Sequence, residues 1–207
     1  MKRLLLAFLT CGALAMAQYK VEAAGEPPAE LAAPVKELLA SSGYRVTGGD
    51  GKPWCEVWYV KSAPKGPVST EADLMWKTAP PGSVIGAIRW FQGGYDRRGQ
   101  MLKPGVYTLR FSMFPINGDH QGVAPNRDFL VMTPAADDQS AAAVPAFKDL
   151  MVMSRKASGT PHPAVLSMYV VESDFQAGIQ NLSEDWILYE KVGDTPVGLT
   201  VAGKSEH

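Results

Sequence analysis

Two cysteines and three histidines in 207 residues leave little material for redox or metal chemistry. Cys11 lies in an N-terminal apolar run. Once that run is removed, Cys55 is the only thiol and no internal disulfide can form. Cys55 sits in the run Trp54-Cys55-Glu56-Val57-Trp58-Tyr59-Val60, which reads as a strand, so its expected place is the core, as a small apolar residue. No histidine follows it closely, which excludes a blue-copper loop. Clustered positive charge is absent as well. With no basic run, phosphate neutralisation has nothing to work with and nucleic acid is excluded as a partner. No Gly-x-Ser-x-Gly elbow occurs, so an α/β-hydrolase nucleophile is unsupported. The Gly48-Gly49-Asp50-Gly51-Lys52 cluster lacks phosphate-loop spacing and leads into a strand, so it reads as a turn. No internal repeat, domain linker or later amphipathic basic face is present.

What is there begins with compartment. Lys2 and Arg3 precede an apolar run from Leu4 to Leu14, and Ala15-Met16-Ala17 offers a small-x-small cleavage site. The run is about a dozen residues, short of the ~20 that span a bilayer. Residues 1–17 therefore read as a signal peptide, with Gln18 first in the mature chain. Phe8-Leu9-Thr10 before Cys11 lacks the small residue that a lipoprotein signal places there. The expected location is periplasmic or extracellular, with no membrane association after cleavage. Removing Lys2 and Arg3 takes the formal charge from −1 to −3.

The mature chain is expected to hold a flexible N-terminus over 18–33, rich in Ala, Glu and Pro, and one domain over 34–207. Pro34 suits the first turn of a short helix with Val35, Leu38 and Leu39 on one face, ended by Gly43. Period-two patterning then takes over, in 54–60, 84–91, 106–114 and 129–132. In 106–114, Tyr107, Leu109, Phe111 and Met113 alternate with Thr108, Arg110 and Ser112, the pattern of a sheet with one buried face. A second helix is predicted over 146–157, broken by Gly159, Pro161 and Pro163. Strands return at 165–171, 186–189 and 197–201, and the stretch 135–144 reads as a surface loop. About eight strands and two short helices make the fold mainly β: an antiparallel β-sandwich with a Greek-key or jelly-roll path. The methionines from Met75 to Met168 fall mostly on strand or helix faces and read as core filling.

Lys103-Pro104-Gly105-Val106-Tyr107-Thr108-Leu109 is a Pro-Gly turn entering a strand whose tyrosine is placed to hydrogen-bond back across a sandwich corner. This run resembles the PG-x-Y-x-L hairpins of secreted bacterial β-sandwich modules, including transthyretin-like ones. On Asn117-Gly118-Asp119-His120-Gln121-Gly122-Val123-Ala124-Pro125, Arg127-Asp128-Phe129 and Ser154-Arg155-Lys156 through Pro163, the chain is also similar to a family of uncharacterised secreted bacterial proteins. That resemblance implies a fold and a compartment and assigns no activity.

Chemistry has one obvious place to sit. The segment between Phe114 and Phe129 is long for a hairpin loop and carries Asp119, His120, Asn126 and Arg127. Asp119 beside His120 offers metal ligands or an acid–base pair. An Ω-like loop satisfying its own backbone is the alternative. Arg127 flanked by Asp128 reads as a structural ion pair. A histidine metal site would need His162 to converge on Asp119 and His120, and no spacing requires it, so no metal or other cofactor is expected. Trp54 and Trp58 share parity on one strand. They form an outward aromatic platform if Cys55, Val57 and Tyr59 are the buried set, or belong to a sheet covered on both faces. Two readings of function follow. One is a non-enzymatic binding module for a small molecule, glycan or protein. The other is a metal-dependent or hydrolytic protein built around Asp119 and His120.

Overall fold

The computed structural model describes residues 18–115, 126–144 and 146–203. They form a mainly β, β-sandwich-like fold of antiparallel sheets with two helices. The larger sheet is a meander of seven strands: β1 (Lys20–Ala24), β2 (Gly43–Thr47), β3 (Pro53–Tyr59), β4 (Val84–Trp90), β7 (Gly105–Met113), β8 (Asp128–Pro134) and β9 (Val165–Leu166). A two-stranded ribbon, β5 (Gly94–Tyr95) and β6 (Met101–Leu102), interrupts the path between β4 and β7. The smaller sheet joins β10 (Met168–Val170), β11 (Gly178–Leu182), β12 (Asp185–Val192) and β13 (Thr195–Ala202) in the order β10-β13-β12-β11. Greek-key order is thus confined to the smaller sheet, where β10 returns beside the last strand of a three-strand meander. The chain crosses between sheets at Ser167: β9 pairs with β8, and β10 pairs with β13. The period-two run 165–171 is therefore one strand serving two sheets.

Register defines the faces. Val57, Ile88 and Tyr107 stand opposite one another, as do Gly86, Leu109 and Met132, and this side meets Leu188, Val197 and Leu199 of the smaller sheet in the main core. The other side of the large sheet is also covered. Helix α2 (Phe147–Ser158) lays Leu150 and Met151 on Phe129, Val131 and Val165, forming a second apolar cluster. Asp138, from the loop after β8, caps Thr108, Arg110 and Thr133. Glu30 and Gly25, from the segment after β1, bond Arg89 and Trp58. The expectation of one buried face on 106–114 is therefore corrected: Val106 through Ser112 are all buried, Arg110 completely so. A polar residue on alternate positions marks a face without saying whether water or more chain lies over it.

Charge is ordered across the first four strands of this outer side. Glu22, Arg45, Glu56 and Arg89 are successive cross-strand partners. Arg45 reaches both Glu22 and the buried Glu56, and Arg89 reaches Glu56 and Glu30. Alternating signs make each direct pair attractive and specify register across four strands.

Several local expectations hold. Tyr107 Oη donates to the Lys103 carbonyl at 2.9 Å, closing the corner its Pro-Gly context suggested. Cys55 is fully buried, and burial pushes its thiol pKa far up. Helix α2 ends on Gly159 at φ +66°, the left-handed residue that stops a helix. Others are corrected. Residues 18–33 are not a flexible lead-in, because β1 pairs with β2 over its full length. Short strands of mixed polarity such as Lys20–Ala24 carry little periodic signal, and tertiary pairing makes them. Helix α1 (Ala33–Leu38) ends five residues before Gly43, which opens β2 instead. Gly43 is required there because a Cβ would lie 2.6 Å from the Trp58 ring. The loop 135–144 is on the surface except at Ala135 and the buried Asp138. Met101 and Met75 are exposed rather than core.

Candidate binding cleft

The end of β7, the start of α2 and the Pro81–Gly82 turn enclose a cleft of about 250 Å³. Its apolar walls are Pro81, Met113, Phe114, Val144, Phe147 and Leu150. Phe114 stacks on Phe129 with ring centroids 4.5 Å apart, so the floor is anchored in the smaller apolar cluster. Phe147 and Leu150 come from the first turn of α2, at the spacing that puts two side chains on one helical face. Gly82 lets two segments touch. It sits at φ +79°, and a Cβ there would collide with the Val144 carbonyl. Its own carbonyl accepts from Arg110 Nη1 at 2.6 Å, tying the cleft wall to the buried polar cluster.

The polar groups of its described lining are Ser112, Arg127 and Glu71. Arg127 donates to Glu71 Oε2 at 2.7 Å, to the Ala72 carbonyl at 2.8 Å and to the Phe114 carbonyl at 3.0 Å. It is a structural ion pair, as its sequence context suggested, but its partner is Glu71. Asp128 faces away and accepts from the backbone N–H groups of Met75 and Trp76. Arg127, just before β8, and Asp128, its first residue, thus secure two stretches of the same long loop, 71–72 and 75–76. Asn126 is partly buried and is not among the described residues lining the cleft. A larger hollow of about 380 Å³ lies by Leu38, Val60 and Ala141. Its polar lining is Glu37, Lys61, Ser62 and Ser83, with Lys61 Nζ bound to the Glu37 carbonyl at 3.0 Å.

The remaining sequence candidates separate. Asp119 and His120 fall outside the described residues. His162 is exposed in the turn after α2, where its backbone N–H bonds Thr160 Oγ1 at 3.0 Å and its carbonyl accepts from Ser158 Oγ. Among the described residues no group of three or more His, Cys, Asp or Glu side chains is placed to hold a metal ion. The outward platform of Trp54 and Trp58 does not exist. Trp58 is buried with its Nε1 on the Gly25 carbonyl, whereas Trp54 donates to the Val201 carbonyl of the opposite sheet. The cause is a β-bulge: Val46 pairs with Cys55 and Thr47 with Pro53, leaving Trp54 unpaired and re-aimed. Sequence reasoning missed Phe147, Leu150 and Glu71 as wall residues, because nothing local says that the first turn of α2 will face the end of β7.

Compared with family models, curated proteins and solved structures, the chain matches none.

Proposed function

We propose that this chain is a non-enzymatic binding module, exported from the cytoplasm, that takes an uncharged and largely apolar small molecule in the cleft between β7 and α2. The observation that carries the reading is the state of the charges at that cleft. The two ionic groups among its described lining residues, Arg127 and Glu71, are spent on each other, and Arg127 also serves backbone carbonyls. A charged ligand would have to break that pair to gain a partner, at a desolvation cost that an apolar ligand avoids. The apolar walls supply the driving force by area removed from water, and Ser112 supplies a hydroxyl for orientation. Export rests on the n-region, apolar run and small-x-small site of residues 1–17.

Binding is tested with the neutral dye Nile red and with the anionic dye anilinonaphthalene sulfonate, on the chain beginning at Gln18. Saturable one-to-one binding of the neutral dye, lost in Phe147→Ser, is expected. Equal binding to the variant, or preference for the anion, would refute the site. Export is tested by expressing the full chain in a bacterial host and sequencing the N-terminus of the product. A chain starting at Gln18 outside the cytoplasm is expected, and an intact Met1 in the cytosol would remove this part of the reading.

A further inference from the structure

A separate hollow of about 280 Å³ lies at the far end of the sandwich, lined by Tyr19, Gly48, Gly49, Asp50, Lys52, Trp54 and Gln92. Its chemistry differs from that of the apolar cleft. An indole and a phenol stand beside a carboxylate, an ammonium and a primary amide, together with the backbone of two glycines.

The parts come from three places, and hydrogen bonds fix the turn and Trp54. The turn between β2 and β3 is closed by Gly48 N–H on the Lys52 carbonyl at 2.8 Å, and Asp50 Oδ1 accepts from Lys52 N–H at 3.0 Å. Trp54, at the start of β3, is turned toward the smaller sheet by its bulge and locked by the 2.8 Å bond from Nε1 to the Val201 carbonyl. Its polar atom is thereby occupied, and what it offers the hollow is hydrocarbon ring. Tyr19 packs edge-on to Trp54, with centroids 6.0 Å apart, and against Trp186 at 5.0 Å. Gln92, just past β4, is exposed and its amide holds no hydrogen bond among the described residues.

We infer that this hollow is a binding subsite for one ring of a neutral saccharide. A sugar presents an apolar C–H face and a rim of hydroxyls, and so needs an aromatic wall beside mixed donors and acceptors. Trp54 and Tyr19 meet the first need. The Gln92 amide, the second carboxylate oxygen of Asp50 and the Lys52 ammonium meet the second. Asp50 Oδ2 and Lys52 Nζ stand 3.8 Å apart and their charges cancel, so the hollow has no net sign with which to select an acidic sugar. The bulge fits the same reading, since bulges recur where a strand must re-aim a side chain beside a site.

The test is ligand-observed NMR and calorimetry on the chain beginning at Gln18, with cellotetraose, maltotetraose, mannotetraose and chitotetraose as probes. At least one neutral tetrasaccharide is expected to bind in the millimolar range. Gln92→Ala and Asp50→Ala change exposed side chains, and each is expected to weaken binding by roughly five- to tenfold, the loss of one hydrogen bond. Phe147→Ser, which disables the apolar cleft, leaves saccharide binding unchanged, so the two sites fail independently. Absence of binding to all four probes overturns the inference, as does binding that survives both Gln92→Ala and Asp50→Ala.

Discussion

Arg110 and Asp138 meet as a two-point ion pair shut off from solvent, with Nε and Nη2 each 2.7 Å from a carboxylate oxygen. The remaining guanidinium donors go to the carbonyls of Gly82, Ala142 and Ser140. The carboxylate also accepts from the Thr108 and Thr133 hydroxyls, which are themselves in contact. Every donor of a buried cation is thus used, and that completeness is what makes burying it tolerable. The cluster joins β7 and β8 to the loop that follows β8, and through Gly82 it reaches the wall of the apolar cleft.

Removing one partner leaves the other charged and dry. Arg110→Met is expected to destabilise the fold by about 3–5 kcal/mol, as is Asp138→Leu. The double variant should cost clearly less than the two single losses added together, because neither charge is then stranded. Urea unfolding of all four proteins measures this. Additive losses would mean that the pair carries no coupling.

Burial alone would raise the Asp138 carboxyl. The Arg110 and Thr108 hydrogen bonds, the Arg110 charge and the Thr133 hydrogen bond outweigh it and hold the group below its ordinary range. Its folded value therefore lies under the unfolded value of about 3.9. The stability it contributes is complete above that unfolded value and drains away as pH falls through the folded one. Asp138→Asn should be less stable than the parent near pH 6, with the gap narrowing below about pH 4. Melting temperatures across that range decide it, and a gap that widened in acid would reverse the assignment.

The hydroxyl of Tyr107 is the one atom separating a corner closed by a hydrogen bond from one held by packing alone. Tyr107→Phe is expected to cost about 1 kcal/mol and to leave the fold intact. An unchanged urea midpoint would show that the bond contributes nothing net.

Gly82→Ala tests how the cleft wall is built. The added methyl meets the Val144 carbonyl at a backbone conformation that alanine resists. A loss of about 1–3 kcal/mol is expected, together with weaker Nile red binding. Parent-like stability and parent-like dye binding would show that the turn can shift freely.

The Cys55 thiol is buried, and its pKa is raised first by burial and then by the Glu56 charge. It should not react with a disulfide reagent such as DTNB in the native protein, and should react at the rate of unfolding in denaturant. Prompt labelling without denaturant would mean that β3 opens locally.

How much of this was legible depends on the range of the deciding interaction. The core place of Cys55, the Tyr107 corner, the second helix with its Gly159 stop and the mainly β class all rest on patterns a few residues long. Backbone geometry alone turns such patterns into structure. For Trp54 the same parity rule failed, because one unpaired residue opposite Val46 and Thr47 turns the side chain toward the other sheet. The loop between Phe114 and Phe129 drew attention through its polar content, yet the walls of the neighbouring cleft come from 81–82, 112–115, 144 and the first turn of α2.

The sequence by itself determined the compartment signal as an expectation, the strand-rich class, the core place of Cys55 and the absence of a basic run, since each follows from composition or local periodicity. Tertiary structure alone decided that β1 is a strand, that Arg110 is buried and that the run 165–171 serves two sheets. It also brought Tyr19, Asp50, Trp54 and Gln92 to one hollow. Those outcomes depend on which distant segment lies over a face or beside an edge, and side-chain alternation reports only that a face exists, never what comes to cover it.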